Sequence, residues 1–406
     1  LYYTKLITKF LTTSFMVSQI FSPMTGLAQE FDIDAEAALL MEADTGRIIY
    51  EENISEKLAP ASLTKIMTLV IGLEAIEEGE LELDETTVTS TNAWESVSQE
   101  ESQMFLNAGQ EVSIEELLKG IAVVSANDAC IVLAEHMYGS VDQFVDEMNA
   151  KADEIGLENT NFQDNIGLDF DDQYMSAKDV GLLSQYAIQN TPEILELESI
   201  PEFEFNDISQ YNRNVLLPER DTSYSYEGTD GLKTGRTAAA GHNFVATADR
   251  NNTRYISVIL GTEERNDRYS LAIDLLDYGY NNYDKVTIIE ENKKIDSVPI
   301  KMGQEREVAV VSEHNLDVIT ETNDPDELSS ELKLKQDKIS APVTQGDKLG
   351  ELVIYENSEK IGSVNAIASE DVDELGFFGR ILRGISNIIT DALQSIRESI
   401  LSFIFD

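Results

Sequence analysis

Strand-like patterning stands on both sides of a long helical stretch in the first two thirds of this chain, and that order limits the fold more than any other feature. Ala37-Ala38-Leu39-Leu40-Met41 and Arg47-Ile48-Ile49-Tyr50 flank Ala43-Asp44-Thr45-Gly46, which predicts two strands around a turn. A helix is expected next, because Leu63, Ile66, Met67, Val70 and Leu73 recur at helical spacing with Ser62 at its start. From 114 to about 190 the pattern is mainly helical, and Ser176 with Asp179 reads as a capping signal before Val180-Gly181-Leu182-Leu183. Strands resume at 232–234, 242–248 and 254–260, followed by a helix over 271–278. Strands at both ends of a helical middle imply an α+β domain whose first and last strands share one sheet.

From 286 to 368 the texture changes to short alternating runs at 308–311, 332–334, 349–355 and 361–367, separated by turn signals such as Gln345-Gly346-Asp347. This predicts a small all-β, sandwich-like module, and 406 residues leave room for it beside the larger α+β unit. The ends read differently. Lys5 and Lys9 precede an apolar run over 10–21, and Gly26-Leu27-Ala28 supplies the small residues of a cleavage site, so 1–28 reads as a signal peptide. After 376, Phe378, Ile381, Leu382, Ile385, Ile388 and Ile389 fall on one side of a helical wheel with Arg380, Arg383, Asn387 and Asp391 opposite. An amphipathic helix over 371–406 lying on a membrane surface is expected; packing back on the β module, or pairing with its copy in a dimer, is the alternative.

Charge narrows the partners. Against 29 Lys and Arg stand 76 Asp and Glu, a formal net charge of -47, so the chain would repel a phosphate backbone and no nucleic acid partner is expected. The single cysteine, Cys130, and the scattered His136, His242 and His314 have no metal-ligand spacing, and no metal or other cofactor is expected.

Three short motifs carry the chemistry: Ser62-Leu63-Thr64-Lys65, Ser125-Ala126-Asn127 and Lys233-Thr234-Gly235. Each alone is weak, since Ser330-x-x-Lys333 and a second and third Ser-x-Asn, at Ser90 and Ser363, also occur. Their order and context raise the signal. A serine hydroxyl needs a nearby base, and Lys65, three positions on, shares a helical face with Ser62. A lysine serves as base only when its pKa falls, and burial beside a second cation, here Lys233, supplies that push. The N–H of Ser62 at a helix start can face an oxyanion.

The motif set is that of penicillin-binding proteins and class A β-lactamases. Leu58-Ala59-Pro60-Ala61-Ser62-Leu63-Thr64-Lys65, Ser125-Ala126-Asn127-Asp128-Ala129-Cys130 and Asp230-Gly231-Leu232-Lys233-Thr234-Gly235 resemble the low-molecular-mass penicillin-binding proteins, the D-alanyl-D-alanine carboxypeptidases. Asn165-Ile166-Gly167-Leu168-Asp169 and Ala239-Ala240-Gly241 extend the likeness, and 340–350 resembles that family's C-terminal β module. The resemblance implies a β-lactamase/transpeptidase-like domain over 29–283, a β domain over 284–370, and an exported enzyme at the outer face of the cytoplasmic membrane. Its substrate would be a peptidoglycan stem ending in D-Ala-D-Ala, with β-lactams as inhibitors. By position, Ser62 would be acylated, Lys65 would take its proton, and Ser125 would relay a proton to the departing D-alanine. Asn127 would hold the peptide amide, Lys233 and Thr234 of the Lys233-Thr234-Gly235 motif would bind the terminal carboxylate, and the N–H of Arg236 would complete the oxyanion hole. Ala126, where glycine is frequent, and Arg236, where histidine or tyrosine is often seen, depart from the family pattern.

Two rival readings stay open on sequence alone. A serine β-lactamase of the commonest class needs a Glu-x-x-Leu-Asn stretch, which is missing between Asn127 and Lys233. A catalytically silent penicillin sensor or wall-binding scaffold would keep the β module's work without the chemistry.

Overall fold

The computed structural model describes residues 33–321, 328–336 and 339–381. The leader 1–28 lies outside the described residues, as does the expected C-terminal helix beyond 381. Among the described residues no helix is long and apolar enough to cross a membrane.

The strands of the central sheet are β1 (Ala37–Glu42), β2 (Ile48–Glu52), β3 (Thr229–Gly231), β4 (Thr234–Thr237), β5 (Gly241–Arg250) and β6 (Thr253–Thr262). They pair antiparallel in the order β2-β1-β6-β5-β3, with β4 also on β5. First and last strands are therefore neighbours, with Ala37 opposite Leu260 and Met41 opposite Ile256. All six residues of β1 are buried, which explains its unbroken apolar run: both faces of the sheet are covered.

Helices supply the two covers. α1 (Lys65–Glu77), α2 (Ile114–Val124), α3 (Asn127–Tyr138), α4 (Val141–Ile155), α5 (Ala177–Asn190) and the short α6 (Glu193–Glu198) form the helical side, and α7 (Asp267–Asn282) follows the last strand. Alternation along β1 sorts its side chains between them. Leu39 and Met41 meet Gly181 of α5, whereas Leu40, with Tyr255 of β6, meets Gly279 of α7. α1 runs through the middle of the main core and is buried continuously from Lys65 to Leu73.

Local signals agree with this only in part. Ser176 caps α5, accepting from the Asp179 N–H at 3.1 Å, but the Asp179 carboxylate does not close a capping box. It accepts instead from the Asn159 N–H and the Thr160 hydroxyl, tying a loop to the helix. A complete box forms at Ser113 and Glu116, heading α2.

The β module begins at Tyr283, directly after α7. One six-stranded sheet is faced by a two-stranded one, Tyr283–Ile289 with Leu316–Glu321, and Leu316 and Val318 pack on Leu352, Ile354, Ile361 and Val364 between them. This is the expected sandwich-like arrangement. Arg47, just ahead of β2, donates to the Ile319 carbonyl and the Glu356 carboxylate and lies over the Tyr283 ring, joining module to catalytic domain.

Candidate active site

The first motif folds differently from expectation. Ser62 lies on a 3-10 turn, Ala61–Thr64, and α1 begins only at Lys65. Pro60 and the positive φ of Ala61 (51°) set the chain's direction before the helix can start. The turn leaves Ser62 half-buried at a cavity wall, while Lys65 is wholly buried beneath it. Lys65 Nζ lies 3.1 Å from Ser62 Oγ, within hydrogen-bond distance, and donates to the Ile166 carbonyl at 2.6 Å. Burial pulls its pKa below the ordinary lysine value, against the opposing pull of Cys130, Asp164 and Glu101.

Ser125 ends α2 in the left-handed region, φ 62° and ψ 39°, a conformation that costs a serine roughly 1–2 kcal/mol and turns the chain straight into α3. Its hydroxyl is buried and has no hydrogen-bond partner among the described residues. Asn127 opens α3; its Nδ2 donates to Glu101 at 2.9 Å and its backbone N–H to the Ser102 carbonyl. The next residue, buried Asp128, accepts from the N–H groups of Met104 and Leu106, each at 3.0 Å, and so pins the loop that carries Glu101.

The third motif was expected inside one strand over 232–234. Instead the strand breaks there: β3 stops at Gly231, Leu232 and Lys233 share the Val245 carbonyl, and β4 starts at Thr234. That irregularity lets Lys233 point inward, buried, while Thr234 and Arg236 stay at the cavity. Gly235 is required by contact. A Cβ there would come within 3.0 Å of the Pro60 carbonyl oxygen, so glycine lets β4 press on the turn that carries Ser62.

Ser62, Ser125, Asn127, Thr234, Gly235 and Arg236 all line one cavity of about 610 Å³. Lys65 and Lys233 are buried at its floor, so the three motifs, far apart in sequence, meet. A larger cavity, about 870 Å³, opens between the β1–β2 turn and the β module but holds none of the motif residues; the chemistry marks the smaller one.

Several charged groups at or near the cavity carry no motif. Arg213, Arg265 and Arg268 join Arg236 around the cavity and outnumber its Glu100 and Glu101, leaving it net cationic on a chain of charge -47. Arg268 is buried and donates to the carbonyls of Gly235 (2.9 Å) and Asn243 (3.0 Å), holding β4 in place. Glu198, at the end of α6, is fully buried with one carboxyl oxygen unpartnered among the described residues. Burial pushes its pKa up to about 8, against the pull of Lys233, and burial pushes Lys233 down to about 8, against the pull of Glu198. The burial of Glu198 is not visible in sequence, where it reads as an ordinary surface charge, whereas Lys233 is marked by its motif.

The family model described as D-alanyl-D-alanine carboxypeptidase matches residues 24–264, and the model of the penicillin-binding protein 5 C-terminal domain matches 283–374. The chain belongs to the D-alanyl-D-alanine carboxypeptidase family. The D-alanyl-D-alanine carboxypeptidase DacF of Bacillus subtilis is 34% identical over 350 residues, covering 85% of this chain and 87% of the relative. Penicillin-binding protein 5 from Haemophilus influenzae superposes with a TM-score of 0.77 at 33% identity, covering 84% of this chain and 98% of that one. Penicillin-binding protein D2 from Listeria monocytogenes, in its ampicillin-bound form, superposes at 0.53 with 31% identity over 62% of this chain and 98% of that one. This carboxypeptidase is a serine-type hydrolase of D-Ala-D-Ala ends on peptidoglycan stems and a penicillin-binding protein, and it works outside the cytoplasm.

Glu198 gives a stability prediction. A carboxyl that is protonated more readily when folded than when unfolded loses stability as pH rises from about 4.5 through about 8. Glu198→Gln is therefore expected to gain stability relative to the wild type as pH rises from about 4.5 toward about 8, with little gain near pH 4. Thermal melts of both forms across that range test it; a gain that does not grow with pH would contradict a buried neutral acid.

Proposed function

We propose that Ser62 is the nucleophile of this carboxypeptidase and Lys65 its base. The observation that carries the reading is the 3.1 Å contact between Lys65 Nζ and Ser62 Oγ, made by a lysine that burial favours in its neutral form. Lys65 takes the Ser62 proton as Oγ attacks the carbonyl of the penultimate D-alanine. The oxyanion faces the backbone N–H groups of Ser62 and Arg236. Ser125 relays a proton to the departing amine as the C–N bond breaks, and water then hydrolyses the ester. Asn127 holds the peptide amide, and Lys233 and Thr234 receive the terminal carboxylate, with Gly235 allowing β4 to lie close. β-Lactams acylate the same oxygen. The test is to incubate the full chain with labelled penicillin, locate the adduct, and assay the same sample for D-alanine release from a pentapeptide. An adduct on another residue refutes the assignment.

Thr234 offers a sharper check on substrate recognition. Thr234→Val is expected to raise KM for a free-acid pentapeptide by roughly tenfold, because a buried carboxylate oxygen would lose its partner, and to change hydrolysis of the amidated peptide far less. Equal effects on both peptides would contradict carboxylate binding by Thr234.

We further propose that 1–28 directs export, that 29–283 and 284–370 fold as catalytic and β domains, and that 371–406 attaches the enzyme to the outer face of the cytoplasmic membrane. The amphipathic pattern supports attachment, as do the exposed Phe377 and Phe378 where a helical turn opens. Truncation after Asp371 is expected to abolish co-sedimentation with liposomes and spare D-alanine release; sedimentation that persists, or a dimer lost on truncation, would point to the alternative.

A further inference from the structure

The loop between α4 and α5 is wound around one buried carboxylate. Asp164 Oδ1 accepts from the Gly167 N–H at 2.7 Å, the Ile166 N–H at 3.3 Å and Gln173 Nε2 at 2.9 Å, while Oδ2 accepts from the Leu168 N–H at 2.9 Å. Buried Gln173 backs it: its Oε1 accepts from the N–H groups of Gln163 and Asp164, and its Nε2 also reaches the Leu168 carbonyl at 2.7 Å. The loop so formed turns its outward carbonyls to α1. Ile166 accepts from Lys65 at 2.6 Å, and Asn165 accepts from Thr68 Oγ1 at 2.9 Å. Contact with the Ser62 turn is as tight as backbone permits: a Cβ on Gly167, whose φ is 89°, would lie 1.9 Å from the Ala61 carbonyl oxygen.

We propose that Asp164 is a positioning residue for Lys65: it fixes the Ile166 carbonyl that takes one hydrogen of the amine and thereby aims the nitrogen's lone pair at Ser62. The proposal rests on the reading of Lys65 as base. A neutral lysine amine has two hydrogens and one lone pair, free to rotate about Cε–Nζ. Anchoring one hydrogen on a fixed acceptor removes most of that freedom, and positioning a reacting group is worth as much as a hundredfold in rate. Asp164 also contributes charge. The ionisable groups acting on Lys65 are Cys130, Asp164, Glu101 and, from beneath the same cavity, Lys233. Cys130 stays neutral because burial pushes its thiol up to about 12, so Asp164 and Glu101 are the anions that hold a proton on Lys65.

Two variants separate position from charge. Asp164→Asn is expected to slow penicillin acylation per labelled site roughly tenfold to hundredfold. Its acid limb is expected to move to lower pH, because losing an anion makes Lys65 easier to deprotonate. Gln173→Met leaves the carboxylate in place but removes its support, so acylation is expected to slow with the acid limb unmoved. The measurement is the acylation rate constant from pH 5 to 10 on the full chain, normalised to the stoichiometry of labelled penicillin so that misfolded molecules drop out. Lys65→Ala is the control: if it acylates within tenfold of wild type, the base assignment fails whatever Asp164 does. If Lys65→Ala is inactive while both loop variants keep the wild-type rate and pH profile, the positioning proposal alone is overturned.

Discussion

Ser62→Ala is expected to abolish covalent labelling by penicillin and to lower D-alanine release by at least about 10⁴-fold, because both reactions need the same oxygen to form an ester. The fold has little stake in that atom. The turn around it is held by the Leu63 N–H on the Pro60 carbonyl and by Asn243 Nδ2 on the carbonyls of Ala59 and Pro60, none of which involves the Ser62 side chain. Lys65 also keeps its second acceptor, the Ile166 carbonyl. The melting temperature should therefore stay close to wild type, since one exchanged hydrogen bond is worth about 1 kcal/mol. Labelling that survives in a folded Ser62→Ala protein would sink the nucleophile assignment.

Lys65→Ala is expected to cost nearly as much activity, since nucleophile and base fail together rather than additively. Lys65→Arg should not rescue it, because a guanidinium remains charged throughout the working pH range and cannot accept a proton. Lys65→Met adds a stability readout. A lysine whose folded pKa lies below its unfolded one opposes folding at every pH where the unfolded chain is charged, and that penalty fades as pH rises toward the ordinary lysine value. The neutral methionine fills similar space without the buried charge, so Lys65→Met is expected to be inactive yet at least as stable as wild type at pH 7. An inactive but clearly less stable protein would mean that the Lys65 ammonium supports the fold rather than being strained by it. Catalytic groups held against their own preference are a recurrent cost of function.

Much of the architecture was legible before the structure. The expected strands at 37–41 and 47–50, the helical middle and the all-β module all appear, because each rests on local apolar periodicity, which burial on a core enforces. The errors fall where a local rule met a tertiary demand. Ser62 lies within a 3-10 turn rather than at the start of a helix, where β4 and the Gly167 loop both press on residues 60–62. The run 232–234 is broken as a strand because Lys233 is drawn into the floor.

Sequence alone determined which residues could do the chemistry and in what order they occur, since a serine, a lysine three positions on and a Lys-Thr-Gly strand are local patterns. Only the tertiary structure decided that these patterns share a cavity, that Arg213 and Arg268 line it too, and that Lys65 and Lys233 lose water, with Asp164 behind the loop that meets Lys65 and Glu198 buried near Lys233. The physical reason is that burial and hydrogen-bond partnership depend on segments distant along the chain, whereas periodicity and motif spacing depend only on neighbours.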